Sequence, residues 1–332
     1  MENSCKRIGV LGGGSWGTAI VKILLENNDT VHWWVREEYT KMYIEKNHHN
    51  PNYISSVEFD TKRISLYTNI NGFVNSCDTL VFAVPSIYLE KALLGLTESL
   101  SNKKIFSAIK GIVPGYSDIV GNFLHEKYNV PEINQGVIVG PCHAEEVAME
   151  RLSYLTICAF DEDLAKKMAE CMRSDFIKTT TSNDVYGAEY AAVLKNIFAL
   201  AAGVAHGLGY GDNFLAVLLS NSIREMERFL DKINPLERNI NNSAYLGDLL
   251  VTGYSFFSRN RMLGNMIGKG YTVKSAILEM QMVAEGYYAT EGIFQLSEKN
   301  EIDMPITKAV YKILYEGKNP KKVFKKLTDN LD

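Results

Sequence analysis

The stretch IGVLGGGSWGTAI, residues 8–20, constrains the fold more than any other part of the chain. A short apolar run stops at three successive glycines, and an apolar, helix-compatible segment follows. Gly12, Gly14 and Gly17 fit G-x-G-x-x-G. In that pattern the first glycine makes a tight turn, the second lets backbone approach a pyrophosphate, and the third lets a helix pack closely on a strand. Amides at the start of such a helix face the phosphates, helped by the positive end of the helix dipole. The bare pattern also fits a structural turn. Its position after a strand, before a helix and at the head of a βαβ unit points to a dinucleotide.

The rest of the first half extends this unit. Apolar or β-branched runs recur at 30–36, 79–86, 104–111, 136–141, 154–160 and 176–182, with helix-compatible segments such as AIVKILLENN and IYLEKALLGLTESL between them. Continuous apolar strands alternating with helices predict a doubly wound, mostly parallel sheet. From Asn183 onward, stretches such as AEYAAVLKNIFALAAGVA and EMERFLDKI carry helical periodicity and few β-rich runs. A chain of 332 residues exceeds one ordinary core. The expected fold class is therefore α/β plus all-α: an N-terminal Rossmann-type domain over 1–183 and a C-terminal all-helical substrate domain over 184–332, with TTTSND supplying turn and N-cap residues at the junction.

The strand at 30–36 bears on cofactor choice. An acid at the end of the second strand accepts the ribose hydroxyls of NAD, whereas an arginine accommodates the 2′-phosphate of NADP. Here Arg36 is followed at once by Glu37. Arg36 tilts the reading modestly to NADPH, and Glu37 keeps NADH open.

In an open parallel sheet, ligands lie beyond the carboxyl ends of strands. Lys110 ends one apolar run, and Gly140, Pro141 and Cys142 end another. Taken alone, Lys110 reads as an exposed strand-end lysine, and its place after the strand lets it reach a nicotinamide or substrate oxygen. Lys195 lies inside AAVLKNIFALAA, with Ala188, Ala191, Ala192, Ala199 and Ala202 at helical spacing. Desolvation among alanines lowers a lysine's pKa toward the range useful for proton transfer, and the alternative is a snorkelling side chain at a helix edge. Residues 246–264 place Asp248, Ser258, Arg259 and Asn260 within a short span. Arg259 suits bidentate phosphate binding, or a surface ion pair of little energetic weight.

Several classes are disfavoured. A formal net charge of −4 opposes broad attraction to nucleic acid or anionic membranes. His48, His49, His143 and His206 lack companions at metal-ligand spacing, so no metal is expected. The aromatic stretches YGDNF and EGYYATEG read as packing residues. The five scattered cysteines read as reduced thiols, and MENSCKRIGVLGGG lacks the apolar stretch of a signal peptide, so a cytoplasmic protein without stable membrane insertion is expected.

The segments GGGSWGTA, AVPS, KGI, VGPCHAEEVA, LKNIFALAAGVAHGLGYGDN, LGDLLVT, SRNRMLG, VAEGYYAT and MPIT, in this order, resemble the bacterial-type NAD(P)-dependent glycerol-3-phosphate dehydrogenases almost end to end. The resemblance implies reversible reduction of dihydroxyacetone phosphate to sn-glycerol 3-phosphate, with a supply of glycerol phosphate for phospholipids. It further implies cofactor contacts at Gly12, Gly14, Ser15, Trp16, Gly17, Arg36, Tyr53, Lys110, Ala144, Arg259 and Glu285. Gly140, Cys142, Asp248, Ser258, Arg259 and Asn260 would surround the substrate, joined by Lys110 and Lys195. Lys195 would be the proton donor and acceptor, assisted by Lys110 and Asp248. Cys142 stands where the family usually has Ser or Thr, so a thiol replaces a hydroxyl there. Apolar helical surfaces in the second half suggest a homodimer. The competing readings are another Rossmann-plus-helical dehydrogenase, acting on a 3-hydroxy acid or phosphogluconate, and a non-catalytic NAD(H) sensor, which would leave Lys195 and Arg259 unexplained.

Overall fold

Strands of only four to seven residues carry the sheet in this computed structural model, which describes residues 7–280 and 282–332. They are β1 (Ile8–Leu11), β2 (Val31–Trp34), β3 (Ile64–Tyr67), β4 (Thr79–Phe82), β5 (Lys104–Ser107), β6 (Gln135–Val139), β7 (Ser153–Ala159) and β8 (Ile177–Ser182). Their order is β3-β2-β1-β4-β5-β6-β7-β8. Every pairing is parallel except β6 with β7. In β1, Val10 pairs with Trp33 on one side and Val81 on the other. All four β1 residues are buried, as a central parallel strand covered on both faces requires. The strand order reverses direction between β1 and β4, where a doubly wound sheet opens its crevice.

Local chemistry explains the main elements. The helix Ser15–Asn27 buries Ala19, Ile20, Val21, Ile23 and Leu24, and the Asn28 side chain closes it by donating to the Leu24 carbonyl at 2.6 Å. The Asp161 carboxylate caps Glu162–Met172 by accepting from the Asp163 and Leu164 amides. After β8, the Asp184 amide donates to Ser182 Oγ at 3.1 Å, and the next helix starts at Val185.

Two elements depart from expectation. Edge strand β3 has no counterpart among the predicted runs, because ISLY is four residues long and only its first residue is buried. The helix-compatible segment 87–100 yields one short helix, Leu89–Ala92. Gly95 stands at φ +81°, a left-handed conformation that no right-handed helix continues through.

The chain divides into two compact units: the chain up to Ile109 with Ile119–Val185, and Lys110–Asp118 with Tyr186–Asp332. The sheet belongs to the first. The short segment Lys110–Asp118 thus groups with the helices of the second unit.

The second unit is organised about the helix Val185–Gly207. It has the length and mean hydropathy, 1.3, of a membrane span, but all of that apolar stretch is buried inside the protein, where it serves as a core helix. Glycines let neighbouring backbones touch it. A Cβ on Gly264 would sit 2.1 Å from the Leu200 carbonyl oxygen, and one on Gly203 would sit 2.1 Å from that of Arg261. Gly207 and Gly268 meet in the same way one turn on, so the helix Arg259–Gly268 crosses at backbone contact. Gly286, in the helix Glu285–Lys299, repeats the device against the Asn196 carbonyl, at 2.5 Å. These contacts fix where the first residues of both helices stand relative to Lys195. Farther out, Phe294, Tyr311, Tyr315 and Tyr287 stack in sequence, so the EGYYATEG tyrosine at 287 packs as expected.

Candidate active site

In the sheet unit the glycine loop joins β1 to the helix Ser15–Asn27. Gly12 adopts φ +137°, and a Cβ there would meet the Ala83 carbonyl oxygen at 2.8 Å. A Cβ on Gly17 would lie 2.1 Å from Gly12 O, which is why helix and turn need glycine at both positions. The buried Trp33 indole donates to Gly12 O at 2.8 Å and holds the turn from beneath. Gly14 differs, because a Cβ there would meet nothing within 4 Å. Space beside Gly14, a helix N-terminus, and a first turn without acidic side chains fit a pyrophosphate.

A second loop is tied to this one. The fully buried Asn50 side chain donates to Gly13 O at 3.0 Å and to Thr18 Oγ1 at 2.9 Å. Its own oxygen accepts from the Asn52 and Tyr53 amides. Tyr53 is thereby held beside the glycine loop. Asn50 was not singled out from the sequence, although Asn next to Pro in HHNPNY is a turn signal. After β2, Arg36 pairs with Glu37, and both side chains are exposed. An exposed pair of this kind is held weakly, so an anion displaces Glu37 at little cost.

In the helical unit two lysines and one carboxylate converge. Lys195 and Asp248 are 4% and 1% exposed. Lys195 Nζ donates to Asp248 Oδ1 at 2.5 Å and to Thr252 Oγ1 at 3.0 Å. Lys110 Nζ lies 3.6 Å from the other carboxylate oxygen, Oδ2. Three contributions set the lysine's charge. Burial dominates and disfavours the ammonium, Asp248 favours it, and Lys110 disfavours it again. The outcome is a Lys195 pKa lowered to about 7. Asp248 is the first residue of the helix Asp248–Tyr254 and follows a π-helical turn, Ser243–Gly247. Such turns redirect the residues beside them and recur at functional sites.

A polar relay runs behind the lysines. Asn196 donates to the Lys110 carbonyl at 2.7 Å, and its Oδ1 accepts from Asn260 Nδ2 at 2.8 Å. Asn260 Oδ1 accepts from the Gly286 amide at 2.8 Å and so serves the start of the helix Glu285–Lys299, which has no side-chain cap of its own. Ser258 is the N-cap of the helix Arg259–Gly268, its Oγ accepting from the Arg261 amide. Arg259, the first residue of that helix, donates to the Val283 carbonyl at 3.2 Å. Asn196 and Thr252 were missed in the sequence. The available signals were adjacency to Lys195 for Asn196 and i, i+4 spacing from Asp248 for Thr252.

The remaining candidates fall as follows. Gly140 follows β6 at φ +119°, where a Cβ would meet Tyr154 O at 2.7 Å. Cys142 and Ala144 are buried in the sheet unit's apolar core, and Ala144 begins the helix Ala144–Ala148. Glu285 is the first residue of its helix. Cys77, Cys142 and Cys158 are free thiols, and burial pushes Cys77 and Cys158 up to about 12. Cys171 is disulfide-bonded, which corrects the expectation of wholly reduced thiols. Spacing along a chain does not reveal which sulfurs folding brings within bonding reach. Among the described residues no His, Cys, Asp or Glu cluster is arranged to hold a metal.

With this geometry in place, comparison with known proteins is decisive. The profile of the NAD-dependent glycerol-3-phosphate dehydrogenase N-terminus matches residues 7–165, and that of the C-terminus matches 184–325. The chain belongs to this family. It is 33% identical over 313 residues to the glycerol-3-phosphate dehydrogenase [NAD(P)+] of Staphylococcus carnosus, covering 93% of this chain and 94% of that one. The Exiguobacterium enzyme of the same name is 35% identical, with 96% and 94% covered. Among solved structures, the glycerol-3-phosphate dehydrogenase of Coxiella burnetii matches with a TM-score of 0.90 at 26% identity, covering 98% and 99% of the two chains. D-mandelate dehydrogenase shares the fold alone, at a TM-score of 0.61 and 15% identity over 96% of this chain and 99% of that one. This chain is accordingly an NAD(P)-dependent oxidoreductase interconverting dihydroxyacetone phosphate and glycerol 3-phosphate. The 3-hydroxy-acid, phosphogluconate and sensor readings give way to it.

Proposed function

We propose that Lys195 is the proton donor in dihydroxyacetone phosphate reduction and the proton acceptor in the reverse direction. The single observation carrying this is the buried Lys195–Asp248 pair with Lys110 at the other carboxylate oxygen. The nicotinamide, when bound, supplies hydride to C2 or takes it away. As charge develops on the carbonyl oxygen, Lys195 protonates it, and Lys110 stabilises the same charge. A lysine ionising near 7 serves both directions, because each protonation state is populated at neutral pH. Asp248 and Thr252 hold the amine in place and limit its rotation.

Arg259 anchors the substrate phosphate, Ser258 and Asn260 set its position, and Gly140 and Cys142 are further substrate neighbours. Binding energy taken from the phosphate, remote from the reacting carbon, aligns that carbon. Gly12, Gly14, Ser15, Trp16 and Gly17 hold the pyrophosphate, with Tyr53, Ala144 and Glu285 as further cofactor neighbours and Lys110 and Arg259 shared with the substrate. Dinucleotide binding is assigned to 1–183, and substrate binding with proton transfer to 184–332. NADPH is preferred modestly over NADH, since exposed Arg36 can exchange Glu37 for a 2′-phosphate.

We further infer a cytoplasmic homodimer that supplies glycerol phosphate for phospholipids. Exposed apolar side chains of the helical unit, Tyr254, Phe256, Phe257 and Met262 among them, support the dimer. Light scattering tests it, a monomeric mass being the contrary result.

The functional test follows NADPH and NADH oxidation with dihydroxyacetone phosphate and with unphosphorylated dihydroxyacetone. Turnover of the phosphate ester alone, with NADPH modestly preferred, is expected. Equal use of both ketones would overturn the phosphate anchor. An NADPH-to-NADH efficiency ratio unmoved by Arg36→Ala would overturn the cofactor assignment.

A further inference from the structure

Lys110 is carried on a short strap rather than on a strand or helix. Residues Lys110–Asp118 form a tight hairpin in which the Val113 amide donates to Asp118 O and the Ser117 amide to Val113 O, both at 3.0 Å. Gly115 and Ser117 both adopt positive φ, as so short a reversal requires. Ile112 and Val113 are buried, and Gly292 leaves room for Ile112 against the helix Glu285–Lys299.

The strap is hydrogen-bonded to the helix Val185–Gly207 at both ends. At one end Asn196 donates to the Lys110 carbonyl at 2.7 Å. At the other, Tyr190 OH donates to Asp118 Oδ1 at 2.8 Å. Tyr190 and Asn196 are six residues apart on one helix, a rise of about 9 Å, so the strap is fixed at two separated points. The Tyr190 ring is itself braced edge-on against Phe229, at 5.4 Å between centroids. A buried phenol donating to a carboxylate makes a directional, charge-assisted bond that apolar contacts cannot replace.

We propose that Tyr190 and Asp118 form a latch that holds the Lys110 strap in register and thereby sets the distance between the Lys110 ammonium and the Lys195–Asp248 pair. Both act through Lys110, as positioning residues. The inference rests on the assignment of Lys195 and Lys110 above. Releasing the latch lets Lys110 drift from the carboxylate, which removes a like charge from the neighbourhood of Lys195. The groups acting on the Lys195 ammonium are Asp248 and Lys110, and those acting on the Tyr190 phenol are Asp118, Glu189 and Tyr186.

The test compares pH profiles of kcat for wild type, Tyr190→Phe, Asp118→Ala and Asp118→Asn. Tyr190→Phe and Asp118→Ala should each lower kcat roughly three- to tenfold, the scale of about 1 kcal/mol of lost positioning. Both should move the neutral ionisation upward, toward the ordinary lysine value. Asp118→Asn keeps an oxygen acceptor for Tyr190 and should restore most of the wild-type profile. Asp118 is half-exposed, so its variants read the latch even if Tyr190→Phe folds poorly. In a Lys110→Met background, Tyr190→Phe should no longer move the ionisation. An unmoved profile in both Tyr190→Phe and Asp118→Ala, or an equal shift without Lys110, would overturn the latch. A wild-type profile with no Lys195-dependent ionisation would instead overturn the proton-transfer assignment itself.

Discussion

At the head of the helix Ser15–Asn27 the groups offered to a ligand belong to the backbone, set by glycines and held from beneath by Trp33 and Asn50. At the middle of the helix Val185–Gly207 an ammonium on a flexible side chain is buried and opposed by one carboxylate and a second lysine. The first arrangement depends on shape, so it fails when a methyl group enters. The second depends on the balance of desolvation against charge, so it fails when any partner changes protonation or moves. On the assignments proposed above, the phosphate site therefore tolerates a change of pH that the proton-transfer site must respond to.

The largest effect should come from the charge side of this comparison. Lys195→Ala is expected to lower kcat by about two to four orders of magnitude, the scale of a lost general acid, while cofactor affinity stays near normal. Turnover near the wild-type value, measured by steady-state kinetics, would remove the distinction between the two sites.

On the shape side, a pair of glycine variants separates binding from folding. A methyl at Gly14 has open space, so Gly14→Ala should leave stability within about 0.5 kcal/mol yet raise the cofactor KM roughly tenfold. A methyl at Gly17 collides with Gly12 O, so Gly17→Ala should cost about 1–3 kcal/mol in denaturant unfolding. The comparison breaks if the two variants behave alike.

Arg259→Lys, which replaces a planar fork by a point charge, should raise the KM for dihydroxyacetone phosphate several-fold with a smaller change in kcat. An unchanged KM would return Arg259 to a purely structural contact with the Val283 carbonyl.

Glu225 combines both modes and should show the smallest effect. It is fully buried, accepts from the Ile306 and Thr307 amides and the Thr307 hydroxyl, and is pushed up to about 7 by burial. Because its folded pKa lies above its unfolded value, the folded state binds the extra proton between about 4.5 and about 7. Its contribution is complete below that window and is lost as pH rises through it. Glu225→Gln should flatten the fall in Tm from pH 5 to pH 8, and an unchanged slope would assign the pH dependence elsewhere.

The same contrast explains what could be read before the structure. A backbone site is local, so GGGSWG between a strand and a helix carried its own meaning. The buried pair is not local, since Lys195 and Asp248 lie 53 residues apart and Lys110 lies 85 before Lys195. Apolar periodicity showed that Lys195 was unusual without showing what it faced. The strap was hidden because KGIVPGYSD continues from an apolar strand, and only folding shows that it packs with the helices. Asn260 and Ser258, proposed at the substrate phosphate, also serve helix starts, a second use that spacing along the chain did not show.

The central claim is that Lys195 ionises near neutrality because burial and Lys110 outweigh Asp248. The most direct measurement is the pH dependence of kcat for dihydroxyacetone phosphate reduction in wild type and in Lys195→Ala. In wild type, kcat should fall as pH rises through about 7, where Lys195 loses its proton, and the residual activity of Lys195→Ala should lack that transition. A wild-type transition near the ordinary lysine value, or one that persists in Lys195→Ala, would contradict the account.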